Sequence, residues 1–451
     1  MKNYKEYFKD KKVTIMGLGL LGGALNDAIF LADCGAKLTI TDLKSEIELA
    51  TSLKKLAKYK NIKYVLGHHD LEDFIDKDFI LQPGNVPVNS IYLEEAKKNN
   101  IPIHESESLF FQYVKDVTTI GITGTRGKTT TTILIYKILK EVLGKKVHLA
   151  GNIKGKSTMA LLKEVNPGDT VVMELDSWCL QGIGEIKKSP KVAVFTNLLS
   201  DHLNHYLKGS QDKKEAEEKY FTDKSQIYLH QNKEDFLICG KKVSSWIGKT
   251  KGHKIIVKKD LVPKGWKLKI PGEHNLENIA CVVAVALVLK IEEKIIKKVV
   301  ENFTGVEGRL EFKKEYKGIK IYNDTTATTP DATIMALRAL RGSSSTRLGI
   351  KSRKIILILG GADKNLDMSE LTKEIPKYCK KVFLLEGTGS AKLKIEEVIR
   401  CKNLKEAVMM AIKECKRGDI LLFSPAFASF GMFKNEFDRG DKFNRVIKNL
   451  K

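Results

Sequence analysis

Along the 451 residues, short runs of aliphatic and β-branched residues alternate with longer stretches whose apolar positions return every three or four residues. The first pattern suits strands buried on both faces, and the second suits helices that cover them. Their alternation predicts a parallel α/β architecture. The opening segment reads as strands "KVTIM", "KLTIT", "IKYVLG", "DFILQP" and "IPIHE", with helices between them such as the stretch from Ser90 to Asn99. The pattern restarts around Val114 to Thr118 with "TTIGIT", a glycine-rich turn and the helix "KTTTTILIYKILKEVL". Strands "KVHLAG", "TVVMELD" and "VAVFTNL" follow. A third start comes after "FTGVEGRLEF", with strands "IKIYND", "KIILILGG", "KVFLLE" and "GDILLFSPA". So long a chain does not form one hydrophobic core. The pattern predicts three α/β units: a Rossmann-like unit at 1–115, a central unit with a mainly parallel sheet at 116–306, and a second Rossmann-like unit at 307–451. The segment 208–219 reads as a solvated helix start or an insertion, and 341–354 as a polar, basic loop.

Composition narrows the function classes. At 42% hydrophobic and 29% charged, the chain reads as an ordinary globular protein. Lys and Arg outnumber Asp and Glu by 78 to 55, a net charge of +23. The excess is mostly lysine spread evenly along the chain. That distribution suits small polyanions such as nucleotides and argues against a nucleic-acid partner. Seven cysteines with no C-x-x-C pair form neither a disulfide framework nor a zinc site; Cys34, Cys179 and Cys281 lie in apolar runs, which fits a reducing cytoplasm. "KDKK" followed by "VTIMGLGLLGGAL" has the outline of a secretory signal, but its glycines, and Asn26 and Asp27, make a phosphate-binding turn the better reading. No other stretch is apolar for long enough to span a bilayer.

Two glycine-rich turns carry the chemistry. Gly17, Gly19 and Gly22 satisfy G-x-G-x-x-G between a strand and a helix, so that helix N–H groups can meet a pyrophosphate. Asp42 ends the next strand, where an acidic residue contacts a nucleoside. An NAD-dependent dehydrogenase would use such a turn, but nothing downstream offers a hydride-transfer site, and no NAD is expected. The second turn departs from the standard phosphate loop, having Ile122 where the first glycine belongs, and reads T-G-T-x-G-K-T: Thr123, Gly124, Thr125, Gly127, Lys128, Thr129. Its backbone amides can still wrap phosphates, Lys128 can reach β/γ oxygens, and the Thr129 hydroxyl can ligate Mg2+. This predicts an ATP site.

T-G-T-x-G-K-T resembles the phosphate loop of the Mur ligases, which build the peptide stem of bacterial cell-wall precursors, and of the related folylpolyglutamate synthetases. Further blocks resemble that family in order: "MELDSW", "TNLLSDHLNHY", "GEHNLENIACVVAVA", "GRLE" with "NDTTATTPDAT", "LGGADKN" and "SPAFASFGMFKNEFDRGDKF". The last block, with Lys364, resembles the members that add D-glutamate. The resemblance implies an ADP-forming ligase that joins D-glutamate to UDP-N-acetylmuramoyl-L-alanine through an acyl phosphate, in cytoplasmic peptidoglycan precursor synthesis, working as a monomer. It leaves open L-glutamate, another amino acid, or a polyglutamate-type reaction. A catalytically silent binding protein and a nucleic-acid-dependent NTPase are the readings from other classes.

The same resemblance implies site residues. Lys128, Glu174, His202 and Lys224 would be catalytic, with Asp201 beside His202. ATP would be held by Gly124, Thr125, Arg126, Gly127, Lys128, Thr129, Thr130, Asn275, Asn278, Arg309 and Asp324. Two Mg2+ ions would be ligated by Thr129, Glu174, His202 and a carbamylated Lys224. The UDP-substrate would lie on Gly17, Gly19, Leu20, Leu21, Gly22, Asp42, Asn152 and Ser177, and glutamate on Thr328, Lys364, Ser429 and Phe430. Lys224 is chosen from "YFTDKSQIY", which aligns Tyr220, Lys224, Ile227 and Tyr228. The usual interval from His202 lands near Glu217 instead, and a solvent-facing helix lysine is the plain alternative. Departures from the family pattern stand at Leu21, Gln82, Arg126, Asp176, Thr326, Phe427 and Gly431.

Overall fold

The computed structural model describes residues 4–84, 86, 90–199, 206, 212–341, 355–395 and 397–450. The described residues form α/β structure around three sheets. The chain divides into two compact units, Met1–Pro263 with Glu277–Ile296, and Lys264–Leu276 with Lys297–Lys451.

The first sheet is made by β1 (Lys12–Met16), β2 (Lys37–Asp42), β3 (Ile62–Leu66), β4 (Phe79–Leu81) and β5 (Ile103–His104), in the order β3-β2-β1-β4-β5. All its pairs are parallel. The strand order reverses at β1, and the Gly17 turn leaves the carboxyl end of that strand, the position where open α/β sheets hold ligands.

The second sheet contains β6 (Thr118–Thr123), β7 (Val147–Gly151), β8 (Thr170–Glu174), β9 (Val192–Phe195), β10 (Phe236–Gly240) and β11 (His253–Val257). Its order is β11-β10-β9-β6-β8-β7, again all parallel. Here β6 is the switch strand, so the Gly124 turn repeats the placement of the first. One hydrophobic core joins the two sheets within the first unit, running from Val13, Leu31 and Phe79 through Leu109 and Phe110 to Met159, Met173 and Leu180.

The third sheet lies in the second unit. It comprises β12 (Glu311–Tyr316), β13 (Ile319–Asn323), β14 (Ile355–Leu359), β15 (Cys379–Leu385), β16 (Val398–Cys401) and β17 (Ile420–Phe423), ordered β12-β13-β17-β14-β15-β16. Strand β14 shows why "IILIL" is apolar throughout. Ile355, Leu357 and Leu359 face one core with Leu337 and Leu371, while Ile356 and Ile358 face another with Val408 and Phe443. Only β12 runs antiparallel. It joins β13 through Lys317 and Gly318, both at positive φ, in a two-residue hairpin turn.

Every strand named from the sequence is present. Strands β10, β11, β12 and β16 were not named; the last three are sheet edges, half-exposed and charged, without the continuous apolar run that marks a strand buried on both faces. The seven cysteines are free thiols. Among the described residues no helix is long and apolar enough to cross a membrane.

Candidate active site

The loop after β6 is held by its neighbours. Thr196, just past the end of β9, donates its hydroxyl to the Arg126 carbonyl at 2.7 Å. Asn197 accepts from the Arg126 N–H at 2.9 Å and donates its amide to the Arg126 carbonyl at 3.0 Å. The Asn197 carbonyl accepts from the Thr125 N–H at 2.9 Å. Thr196 and Asn197 open the "TNLLSDHLNHY" segment, but sequence reasoning looked past them to its acidic and imidazole groups. Their signal was position: the end of the strand adjacent to β6. The helix Lys128–Leu143 then starts from Gly127 with no side-chain cap, leaving first-turn N–H groups for an anion. Lys128 Nζ donates to the carbonyls of Gly124 and Thr125 at 3.0 and 3.2 Å, which keeps its ammonium over the loop. Thr129 and Thr130 follow in the first helical turn, and Asn278 lies against Gly127.

Two further predicted residues lie beside the end of β6, from which this loop starts. Glu174 ends β8, the strand hydrogen-bonded to β6, and its buried Oε2 has no hydrogen-bond partner. An orphaned carboxylate oxygen is costly unless a cation or proton completes it. Lys224, on the helix Lys213–Leu229, is 1% exposed, so it is no solvent-facing lysine. Its Nζ lies 3.4 Å from Thr123 Oγ1 and 4.7 Å from the centroid of the Tyr220 ring. Tyr220, Ile227 and Tyr228 are buried with it, as the motif alignment requires. Asp201 and His202 lie outside the described residues.

Glu174 is followed by a segment that explains one departure. Asp176 caps the helix Ser177–Glu185 by accepting from the Cys179 N–H at 2.9 Å, and its other oxygen accepts from the Asn152 amide at 3.2 Å. Buried Ser177 hydrogen-bonds Tyr206, whose hydroxyl donates to Asp223 at 2.7 Å; burial, chiefly, pushes the Tyr206 phenol up.

In the first turn, Asp42 Oδ2 accepts from the N–H groups of Leu18 and Gly19, both at 2.9 Å, while Oδ1 accepts from the Lys44 N–H. Its carboxylate therefore shapes the turn from within, a role that the sequence reading of a nucleoside contact did not include. Leu20 and Leu21 are exposed at the tip, and Gly22 starts the helix Gly23–Asp33 from a positive φ.

The second unit gathers its predicted residues at the carboxyl ends of β13, β17 and β14, which lie side by side. Lys364 Nζ donates to Thr328 Oγ1 at 3.1 Å, and Ala428, next to buried Ser429, bridges Ala362. Phe430 is exposed. Asp324 accepts from Ser424 Oγ at 2.7 Å and from the Leu310 N–H at 2.8 Å; burial pushes its carboxyl up to about 7, against the pull of Arg309 and Arg439. Asn275 donates its amide to the Pro271 carbonyl at 2.6 Å. Thr326 is tied to the Gly308 carbonyl at 2.8 Å, Phe427 fills the core, and Gly431 takes a φ of 91° that favours glycine over aspartate.

The family model for the Mur ligase middle domain matches residues 122–259, and the Mur ligase, glutamate ligase domain matches residues 308–427. The UDP-N-acetylmuramoylalanine–D-glutamate ligase of Roseiflexus sp. (strain RS-1) is 33% identical, with 98% of this chain and 99% of that protein covered. The protein of the same description from Borreliella burgdorferi (strain ZS7) is 34% identical, with 98% of each covered. Among solved structures, the UDP-N-acetylmuramate-alanine ligase of Thermotoga maritima superposes with a TM-score of 0.62 at 18% identity, covering 98% of this chain and all of that one. A pseudomurein peptide ligase type C from Methanothermus fervidus gives 0.53 at 20% identity, with 98% of this chain and 100% of that chain covered. These structural likenesses speak to the fold.

Proposed function

The chain belongs to the Mur ligase family, whose members depend on ATP, and from that premise we propose that it joins D-glutamate to UDP-N-acetylmuramoyl-L-alanine in peptidoglycan precursor synthesis. The observation that carries this reading is the convergence of a braced phosphate loop, Lys128, orphaned Glu174 and buried Lys224 at the ends of two paired strands. We assign 1–115 to the UDP-substrate, 116–306 to ATP and 307–451 to glutamate, and place the reaction in the cytoplasm, in a monomer.

A carboxylate is a poor electrophile, because its charge repels an amine and its oxygen leaves badly. Phosphorylation by ATP gives an acyl phosphate that an amine can attack. The N–H groups of the Gly124–Gly127 turn and the Lys128 ammonium would bind the migrating phosphoryl and stabilise its charge. The residues fit Mg2+: Glu174 offers an uncompensated oxygen, Thr129 a hydroxyl, and Lys224 a buried nitrogen that carbamylation would turn into an oxygen ligand. Bound there with His202 as a further ligand, Mg2+ would neutralise phosphate charge and template the two substrates. The Gly17 turn would hold the UDP pyrophosphate while the far carboxylate of the substrate reacts. Lys364, Thr328 and Ser429 would hold the carboxylates of the amino acid, a cation and hydroxyls being suited to an acidic one.

The test is incubation with Mg2+, ATP and UDP-N-acetylmuramoyl-L-alanine, with D- or L-glutamate in parallel, and weighing of the product by mass spectrometry. An adduct with D-glutamate only is expected. An adduct with L-glutamate only would keep the mechanism and change the acceptor, and no adduct would remove this substrate assignment.

A further inference from the structure

Gln82 stands where the family pattern has serine, and its surroundings account for the change. Its backbone N–H extends the first sheet by donating to the His104 carbonyl, and its side-chain Nε2 donates to Glu105 Oε1 at 2.9 Å. The remaining atoms of that pair are both buried without a partner: Gln82 Oε1 and Glu105 Oε2. Two acceptor oxygens left over from one carboxamide–carboxyl contact become a donor and an acceptor once Glu105 carries a proton. Oε2–H would then be a donor for Gln82 Oε1, and two antiparallel hydrogen bonds would close a ring.

The Gln82 amide and the N-terminus of the helix Ser106–Tyr113, which Glu105 caps, favour an ionised Glu105, but its burial outweighs them. The charged groups that face it are all acidic: Glu107 on its own helix, and Asp176 and Glu185 at the two ends of the helix Ser177–Glu185. From that helix Gly182 packs directly on Oε2, where a Cβ would stand 1.7 Å away. The adjoining His104 packs its ring against Phe79 and is itself disfavoured as a cation by burial. The Cys179 thiol, on the same helix, is pushed well up. Burial, with these like charges, raises the Glu105 carboxyl to about 8.

The pair sits at a strategic turn. Pro83 lies 3.6 Å from where a Cβ on Gly17 would be, and Gly84 packs against Trp178 with Asp176 nearby. The Gln82-Pro83-Gly84 turn therefore touches both the first glycine turn and the start of the helix that follows Glu174. We propose that Glu105 is held as the neutral acid and closes a two-bond ring with the Gln82 carboxamide, making the pair a positioning element of the turn between the UDP cradle and the catalytic strand end. The kinetic consequence rests on the function proposed above; the proton itself does not.

Glu105→Gln supplies the same donor and acceptor without a titrating proton, and Glu105→Ala removes both. The infrared difference between the wild-type protein and Glu105→Gln at pH 6.5 should show the carbonyl stretch of a protonated carboxyl; a carboxylate band in its place would overturn the proposal. Because the folded group holds its proton more tightly than the unfolded one, its stabilisation is complete below pH 4.5 and is lost as pH rises through about 8. Wild-type Tm should therefore fall across that window relative to Glu105→Gln, and parallel curves would count against the ring. In turnover, KM for the UDP-substrate should rise roughly tenfold from pH 7 to 9 with kcat little changed, and Glu105→Gln should abolish that rise. Glu105→Ala should raise KM at every pH. Should Glu105→Ala fail to fold, Glu105→Gln still decides, and because the infrared and unfolding arms use no substrate, they separate this proposal from the assignment of the reaction.

Discussion

The two glycine turns occupy equivalent places on their sheets, each leaving the carboxyl end of a switch strand and starting a helix from a glycine at positive φ. Their surroundings differ. In the second turn a Cβ on Gly124 would stand 2.0 Å from Thr196 Oγ1, and one on Gly127 would stand 2.1 Å from Asn278 Oδ1. In the first, a Cβ on Gly19 would meet nothing within 4 Å, and one on Gly22 would make ordinary contact at 3.6 Å with Gly155. The second turn is clamped by hydroxyl and amide groups and carries a lysine; the first is shaped by a single carboxylate and shows leucines, 43% and 45% exposed, to solvent. Backbone geometry alone suffices to hold a pyrophosphate. Reacting with a phosphate demands that donors be fixed beforehand, and the bracing suits the second turn to the ATP role proposed for it.

The sharpest way to separate the turns is Lys128→Ala. It should lower kcat on the order of 10³-fold, because a cation aimed at developing phosphoryl charge acts mainly in the transition state. Binding of the UDP-substrate, measured by calorimetry, should stay within about twofold of the wild type. Equal losses in both would mean that the turns do not divide the work in this way.

Much of this contrast was legible in the sequence, and what was not has physical reasons. Both turns, their strands and the helix Lys128–Leu143 follow from glycine spacing and apolar runs that few other arrangements explain. The buried position of Lys224 beside Thr123 was reachable through its aromatic neighbours, although counting residues pointed to Glu217. Thr196 and Asn197 were missed because bracing is a relation between strands β6 and β9, separated by some seventy residues, and no local pattern records it. Asp42 was seen but read outward, since sequence spacing places a carboxylate without saying which donors it meets. The β12–β13 hairpin escaped because Lys-Gly is a weaker turn signal than Asn-Gly.

A second test uses the clamp itself. Gly127→Ala must both strain a φ of 82° and displace Asn278, whereas Gly22→Ala, at a φ of 89°, bears the strain alone. Thermal unfolding should show a loss of about 3 kcal/mol for the first and about 1 kcal/mol for the second. Only Gly127→Ala should also raise KM for ATP. Similar losses would show that Asn278 yields freely and that the second turn is no more rigid than the first.

The smallest expected effect comes from the carboxylate that shapes the first turn. Asp42→Asn keeps the shape of the side chain but offers one acceptor oxygen where three N–H groups now converge on two. Its amide hydrogens would point at donors, so at least one of the Leu18, Gly19 and Lys44 N–H groups loses its partner. Such a loss costs about 1 kcal/mol, or about fivefold. It should appear as a higher KM for the UDP-substrate with kcat and KM for ATP unchanged, because the second turn keeps every one of its braces. A fall in kcat of the same size would instead mean that the first turn takes part in reaching the transition state, and the division between a turn that holds and a turn that reacts would have to be redrawn.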